Sequence, residues 1–239
     1  MEREICFDTE TTGLDPNEGH RLIEIGCVEI INGKRTDNSY HVLINPEREV
    51  PEEAVRIHHI TTEMLADKPK FSEIADSFFD FIKDSTLVAH NAGFDVKFIN
   101  YELSLIGKNS LTNKVIDSLA LAKNIFPNQR NNLDALCKRF NINNTKRAEE
   151  GHGALLDAEL LADVYIKMTN NLREKLIQDV KKEKTENIVS MDKLITMINK
   201  NKVLESRKFN VNEDELQKHN EFINKCIKNS LWDCWNYKY

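Results

Sequence analysis

Glycine and proline are missing from residue 154 onward: all eight glycines and all five prolines fall within residues 1–153. Tryptophan is missing before residue 230, and both copies, Trp232 and Trp235, stand close to the end. A chain of 239 residues punctuated on one side only reads as one medium domain followed by a Lys- and Asn-rich helix or tether. No CxxC pair occurs among the five cysteines (Cys6, Cys27, Cys137, Cys226, Cys234), and their number is odd. That argues against a disulfide framework or a structural zinc site and leaves buried thiols. No apolar run reaches the length of a membrane span, and "MEREICFD" enters a strand without a basic or apolar leader, so the expectation is a cytoplasmic protein with no membrane partner. Positive charge is not in excess either: 33 Lys and Arg stand against 39 Asp and Glu, a net charge of −6. This argues against broad electrostatic attachment to duplex DNA, though not against an enzyme that grips a few nucleotides through bound metal ions.

What is present alternates between two periods. Residues 4–8 and "RLIEIGCVEI" (21–30) read as strands, and Asn32-Gly33 predicts a hairpin into a third strand near 40–44. Pro51 with Glu52 and Glu53 suits a short helix start. Ser72 is a candidate cap for a helix whose apolar positions Ile74, Phe78, Phe81 and Ile82 have helical spacing. "TLVAHN" (86–91) predicts a strand, 94–103 a helix, "KVID" (114–117) a strand, 131–140 a helix and 154–168 a longer one. Consecutive strands joined by hairpins, then alternating helices and strands, imply an α/β fold: a mixed β-sheet flanked by helices.

The stretch "CFDTETTGLD" (6–15) ends an apolar run with Asp8 and Glu10. Residues two apart on a strand share a face, so two carboxylates meet there and repel unless a cation or proton compensates. Asp95, in "AHNAGFD", and Asp157, in "HGALLDAELLA", stand at the first turns of two predicted helices. Either acid alone has a bland explanation, since a carboxylate there favours the helix dipole. Four acids converging would instead form an all-oxygen cage for two divalent metal ions, Mg²⁺ or Mn²⁺, suited to phosphodiester hydrolysis. His152 precedes Asp157 by five residues and lies between Gly151 and Gly153. Five residues in one helix would set the two about 140° apart, too far to serve one face. The glycines instead predict a mobile loop, from which an imidazole can act as general base.

These motifs, "FDTETTG", "HNAGFD" and "HGALLD", resemble the three exonuclease motifs of the DnaQ-like 3′–5′ exonucleases, in the subclass with four acids and a histidine (DEDDh). Within that family the likeness extends to its epsilon proofreading subunits of bacterial DNA polymerase III, through "NIFPNQRNNLDALCKRFNI" and "LLDAELLADVY". "LQKHNEFINKCIKNSLW" is similar to the segment by which those subunits hold the polymerase. The resemblance implies a ribonuclease H-like sheet, with a 3′–5′ exonuclease domain over 1–168, a linker over 169–205 and a polymerase-binding, helical or flexible tail over 206–239. It implies that Asp8, Glu10, Asp95 and Asp157 are metal ligands and His152 the general base. Asp8, Glu10 and Asp157 would also face the substrate, and Thr11, His58 and Phe94 match positions that line the 3′-terminal nucleotide. The implied partners are single-stranded or frayed DNA 3′ ends, the polymerase III alpha subunit and a small accessory subunit.

Two departures stand out. "KRAEEGHG" carries extra residues before His152, and "MTNNLREKLIQDV" shows no Gln-Leu-type clamp-binding peptide. A free-standing exonuclease acting on short single-stranded DNA or RNA is the alternative function. It leaves the aromatic-tipped tail unexplained. A structural subunit with a dead site is a further reading, and the presence of all five candidate catalytic residues speaks against it.

Overall fold

The computed structural model describes residues 2–174, with 212–215, 217–218 and 221; at 148–150 only the backbone is described. The chain divides into units Met1–Asp179 and Val180–Tyr239. The expected linker and tail, 169–205 and 206–239, lie almost wholly outside the described residues.

A five-stranded mixed sheet in the order β3-β2-β1-β4-β5 forms the frame. Its strands are β1 (Arg3–Thr11), β2 (Leu22–Ile31), β3 (Lys34–Leu43), β4 (Thr86–Ala89) and β5 (Val115–Asp117). The first three pair antiparallel, and β4 and β5 join in parallel. This is the ribonuclease H-like arrangement. Asn32 and Gly33 both take positive φ, 51° and 76°, as a two-residue turn matched to strand twist requires. Pairing resumes at once, so β3 starts at Lys34, well before the expected position near 40; its charged, exposed first half hid it from a reading based on apolar alternation.

Helices cover both faces. Ile5, Phe7 and Ile25 meet α3 (Phe71–Ile82) and α4 (Ala92–Leu105) through Phe78, Ile82, Phe98 and Leu103. Cys6, Val28, Ile30 and Val88 meet α5 (Ser118–Ile125), α6 (Leu133–Arg139) and α8, which spans residues 154–174. Short helices α1 (Glu52–His58), α2 (Thr62–Leu65) and α7 (Thr145–Glu150) fill the connections. Ser72 does not cap α3. The helix begins at Phe71, and the Glu73 carboxylate accepts the Lys70 backbone N–H at 2.7 Å, closing the first turn without a serine. Cys6, Cys27 and Cys137 are buried free thiols. Among the described residues no helix is long and apolar enough to cross a membrane.

The sheet carries α8 at both ends. Tyr165 Oη donates to Glu4 Oε1 at 2.7 Å, and the Ala154 backbone N–H donates to Glu24 Oε2 at 3.0 Å, both buried. Gly26, opposite Asp8 in the register, makes the approach possible. A Cβ there would lie 2.2 Å from Leu155 N and 2.3 Å from Ala154 C. Those are backbone atoms, so relief requires α8 to move by more than about 1 Å, and it is α8 that carries Asp157. Gly26→Ala is therefore expected to cost at least about 1–3 kcal/mol of stability. It should also lower nuclease turnover by about two orders of magnitude, the scale of a 1 Å misplacement. Thermal melts and single-turnover assays check this; wild-type values for both would show that α8 is not held so close.

Candidate active site

Alternation along β1 sends Cys6, Asp8 and Glu10 to one face and Phe7 and Thr9 to the other, so the two carboxylates share a side as their spacing predicts. They emerge where β1 runs out beside the start of α8. Asp95 enters from the first turn of α4, beyond β4, with Asn91 in the left-handed conformation (φ 72°) turning the chain between strand and helix. Thr9 Oγ1 donates to Asp95 Oδ1 at 2.8 Å and fixes that carboxylate against β1. The Arg21 guanidinium grips Glu102 at 2.7 and 2.8 Å, tying the far part of α4 to the start of β2.

Asp8, Glu10, Asp95, His152 and Asp157 all line one cleft, with Phe94, His90, Asn132, Asp134 and Arg147. One ligand atom from each of Glu10, His152 and Asp157 lies within 4.8 Å of the others. Asp95 and Asp157 are buried, and Asp8 and Glu10 are partly so. Burial first, then repulsion from Asp95, Glu10 and Asp157, pushes the Asp8 carboxyl well above its ordinary range. Burial, with Glu24 and the other acids, raises Glu10 to about 8, and burial raises Asp95 to about 7. A cation beside them would favour their charged forms.

The other expected residues divide. Phe94 lines the cleft and packs on Phe98, with centroids 5.0 Å apart. Buried Thr11 donates its hydroxyl to Gly13 O at 2.6 Å and so braces the turn after β1. His58 is buried at the end of α1 and lines an adjoining cavity with Glu24, His41 and His152. Residues 151–153 are non-helical, as expected for the base-bearing loop, but the loop is tied down: the His152 backbone N–H donates to Ile57 O at 3.1 Å. Gly151, at φ 86°, packs so tightly that a Cβ would meet the His59 ring at 2.7 Å.

Two residues escape a motif-based reading. Glu24 faces Glu10 across β1 and β2, receives α8 through Ala154, and holds His41 Nε2 at 2.6 Å. A glutamate inside a mostly apolar strand is the signal that marks it. Arg147 lies in the extra segment before His152, which forms α7. Its guanidinium donates to both Asp157 oxygens, from Nε at 2.6 Å and from Nη2 at 2.9 Å. It also donates to Asp134 Oδ1 at 2.6 Å and to His152 Nδ1 at 2.9 Å. Burial works against the Arg147 charge, but the pairs with Asp157 and Asp134 outweigh it and hold the group protonated.

Comparison with known proteins fits this geometry. The model of the exonuclease family (RNase_T) matches residues 5–165. The DNA polymerase III subunit epsilon of Rickettsia prowazekii is 46% identical over 230 residues, covering 94% of this chain and 97% of that protein. The subunit of the same name from Escherichia coli is 51% identical over 175 residues, covering 70% and 71%. A solved structure of exonuclease X in complex with 5′ overhanging duplex DNA superimposes with a TM-score of 0.57 at 29% identity, covering 72% of this chain and 92% of that one. With its cleft of carboxylates closed by α8 and the His152 loop, the chain belongs to the exonuclease family and, within it, to the DNA polymerase III epsilon subunits.

Proposed function

We propose that this protein is the 3′–5′ exonuclease proofreading subunit of a replicative DNA polymerase III, hydrolysing mismatched 3′-terminal nucleotides. The observation that carries the reading is the convergence of four carboxylates and His152 in one cleft, in a chain of epsilon ancestry. Exonucleases of this type depend on divalent metal. The donor set fits such ions: every carboxylate is a hard oxygen ligand, burial and neighbouring acids hold three of them above their ordinary pKa, and a guanidinium already stands against the fourth. Asp8, Glu10, Asp95 and Asp157 would hold two ions, Mg²⁺ or Mn²⁺, which would neutralise charge on the attacking and leaving oxygens of the scissile phosphate. His152 takes the proton of the attacking water, from a side chain 43% exposed and so open to exchange with solvent. Phe94 presents a ring for the terminal base, while Thr11 and His58 shape the path of the last nucleotide.

Selection of errors follows from strand separation. A mismatched end frays at lower cost than a paired one, so a cleft that accepts only unpaired ends removes errors first. The domain plan is a catalytic unit over 1–168, a linker over 169–205 and a tail over 206–239 that docks on the polymerase alpha subunit. In the sequence, Leu216, Phe222 or Ile223, Ile227 and Leu231 have spacings compatible with one helical stripe, with Trp232 and Trp235 as anchors of the kind enriched at binding hot spots. On a primer–template with a mismatched 3′ end, the full-length protein with Mg²⁺ is expected to release the terminal nucleotide faster than from a matched end. Truncation after Met168 should leave hydrolysis of a single-stranded oligonucleotide nearly intact and abolish co-elution with the alpha subunit. Trp232→Ala should weaken that complex by about 2 kcal/mol or more. Co-elution of the truncated chain would move the contact to the catalytic unit, and equal rates on matched and mismatched ends would favour the free-standing exonuclease.

A further inference from the structure

Arg147 makes four polar contacts at the centre of the cleft, and the hydrolytic mechanism uses none of them. Both Asp157 oxygens accept from it, Asp134 holds its third edge, and the remaining Nη2 hydrogen points at His152 Nδ1. The side chain is only 10% exposed, so this is a built contact and not a surface pair that solvent exchanges freely. It reaches the cleft from α7, the segment that carries extra residues before His152.

The chemistry of the four contacts is one-sided. A guanidinium has five N–H donors and no acceptor. His152 Nδ1 must therefore accept from Arg147, which leaves the neutral ring's own proton on Nε2. In that tautomer the one free lone pair of the imidazole is spent on Arg147, and His152 has nothing with which to take a proton from water. The other tautomer, with the lone pair on Nε2, could turn its Nδ1 proton toward Asp157 Oδ2 at 3.4 Å, but it would set that proton against the Arg147 donor at 2.9 Å and needs Arg147 to withdraw. Asp157 is engaged in the same way: the fork on both oxygens supplies the positive charge that a cation would supply. One residue thus stands in for the metal at the ligand and silences the base.

We propose that Arg147 is an internal counter-cation that latches Asp157 and His152 in a catalytically silent arrangement, and that divalent cations compete with it for Asp157 and thereby free the base. The inference rests on the reading of Asp157 as a ligand and His152 as the base. It assigns α7 a purpose: the device ties activation of the base to occupancy of the carboxylates, so an unloaded site does not begin a proton transfer it cannot finish.

The test uses the full-length protein and Mn²⁺ or Mg²⁺ alone. Calorimetric titration with Mn²⁺ is expected to show about tenfold tighter binding in Arg147→Met than in wild type, equivalent to about 1.4 kcal/mol. Arg147→Lys, which keeps the charge and loses the fork, should fall between them. Binding that is unchanged or weaker in Arg147→Met overturns the latch and makes Arg147 a residue that preorganises Asp157 for metal. If wild type takes up no Mn²⁺, or Asp8→Ala takes it up equally well, the carboxylate-site reading itself fails and the latch with it. A measurement on wild type alone keeps the idea exposed should the variants misfold. The ¹⁵N resonances of His152 in metal-free protein should show a proton on Nε2 and none on Nδ1, and Mg²⁺ should change that pattern. A proton on Nδ1 before metal is added overturns the latch outright.

Discussion

Chelation of divalent cations is expected to bring 3′-end hydrolysis by the full-length protein below detection, and Mg²⁺ or Mn²⁺ to restore it. Asp8→Ala should do the same irreversibly. Burial raises the pKa values of three carboxyls in the cleft, and neighbouring acids add to it, so each charged form would gain from a nearby cation. The same shifts set the sign of a stability effect. A carboxyl raised in the fold contributes stability that is fully present below its unfolded pKa of about 4 and is lost as pH rises through its folded value. For Asp95 and Glu10 those folded values are about 7 and about 8. Metal-free protein should therefore lose melting temperature between about pH 5 and about pH 8.5, and Asp8→Ala should recover part of it at the upper end. Asp157→Ala is expected to behave differently. It abolishes activity as well, but it strips Arg147 of a bidentate partner in a mostly buried position, so the metal-free fold should lose stability, by up to about 3–5 kcal/mol. Opposite shifts in melting temperature from two variants that are equally inactive would separate the repelling acid from the paired one. Full activity in excess chelator would end the metal reading.

The parts of this site that were legible in the sequence are those fixed by short-range geometry. Asp8 and Glu10 two apart on a strand, Asp95 and Asp157 at helix starts, and His152 between glycines all translate directly into faces and first turns. Their convergence was not derivable from spacing; it came from likeness to a family, and the cleft now holds all five. The sheet was legible for a similar reason, since apolar runs and Asn32-Gly33 mark β1, β2 and the turn. The first half of β3 escaped because a sheet edge tolerates Lys34, Arg35 and Asp37, which suppress the period-two signal. Three short helices, α2, α5 and α7, also went unseen. α5 is opened by the Asp117 side chain accepting from Leu119 N and Ala120 N, a cap that "KVID" read as a strand end conceals. α7 is six residues, mostly charged, with no apolar stripe to reveal it. Glu24 is marked only by being a glutamate in a mostly apolar strand, and Arg147 acts through contacts that depend on α7, which no local pattern announces.

His152→Ala is expected to lower turnover by roughly two to four orders of magnitude, the range of a general base, with Mn²⁺ affinity unchanged or slightly improved. The geometry makes this a real choice between two roles. His152 offers a ring nitrogen within 4.8 Å of ligand atoms on Glu10 and Asp157, so a His–Glu–Asp set capable of holding an ion is present in the fold. Three observations favour the base. Its side chain is 43% exposed while Asp157 is 5% exposed, and a proton carrier needs the solvent that a ligand does not. The loop that bears it is pinned through its backbone to Ile57 O, so the ring is not needed to hold the loop in place. Among the described residues the ring is hydrogen-bonded to Arg147, a donor that a metal-ligating nitrogen would have to shed. Removing a base should depress kcat and leave the calorimetric Mn²⁺ isotherm nearly as it was. It should also remove one contact of Arg147, which loosens the hold on Asp157 and moves affinity, if at all, toward tighter binding. A large loss of Mn²⁺ binding in His152→Ala would instead make His152 a ligand, and the proton acceptor would have to be sought among the other groups lining the cleft.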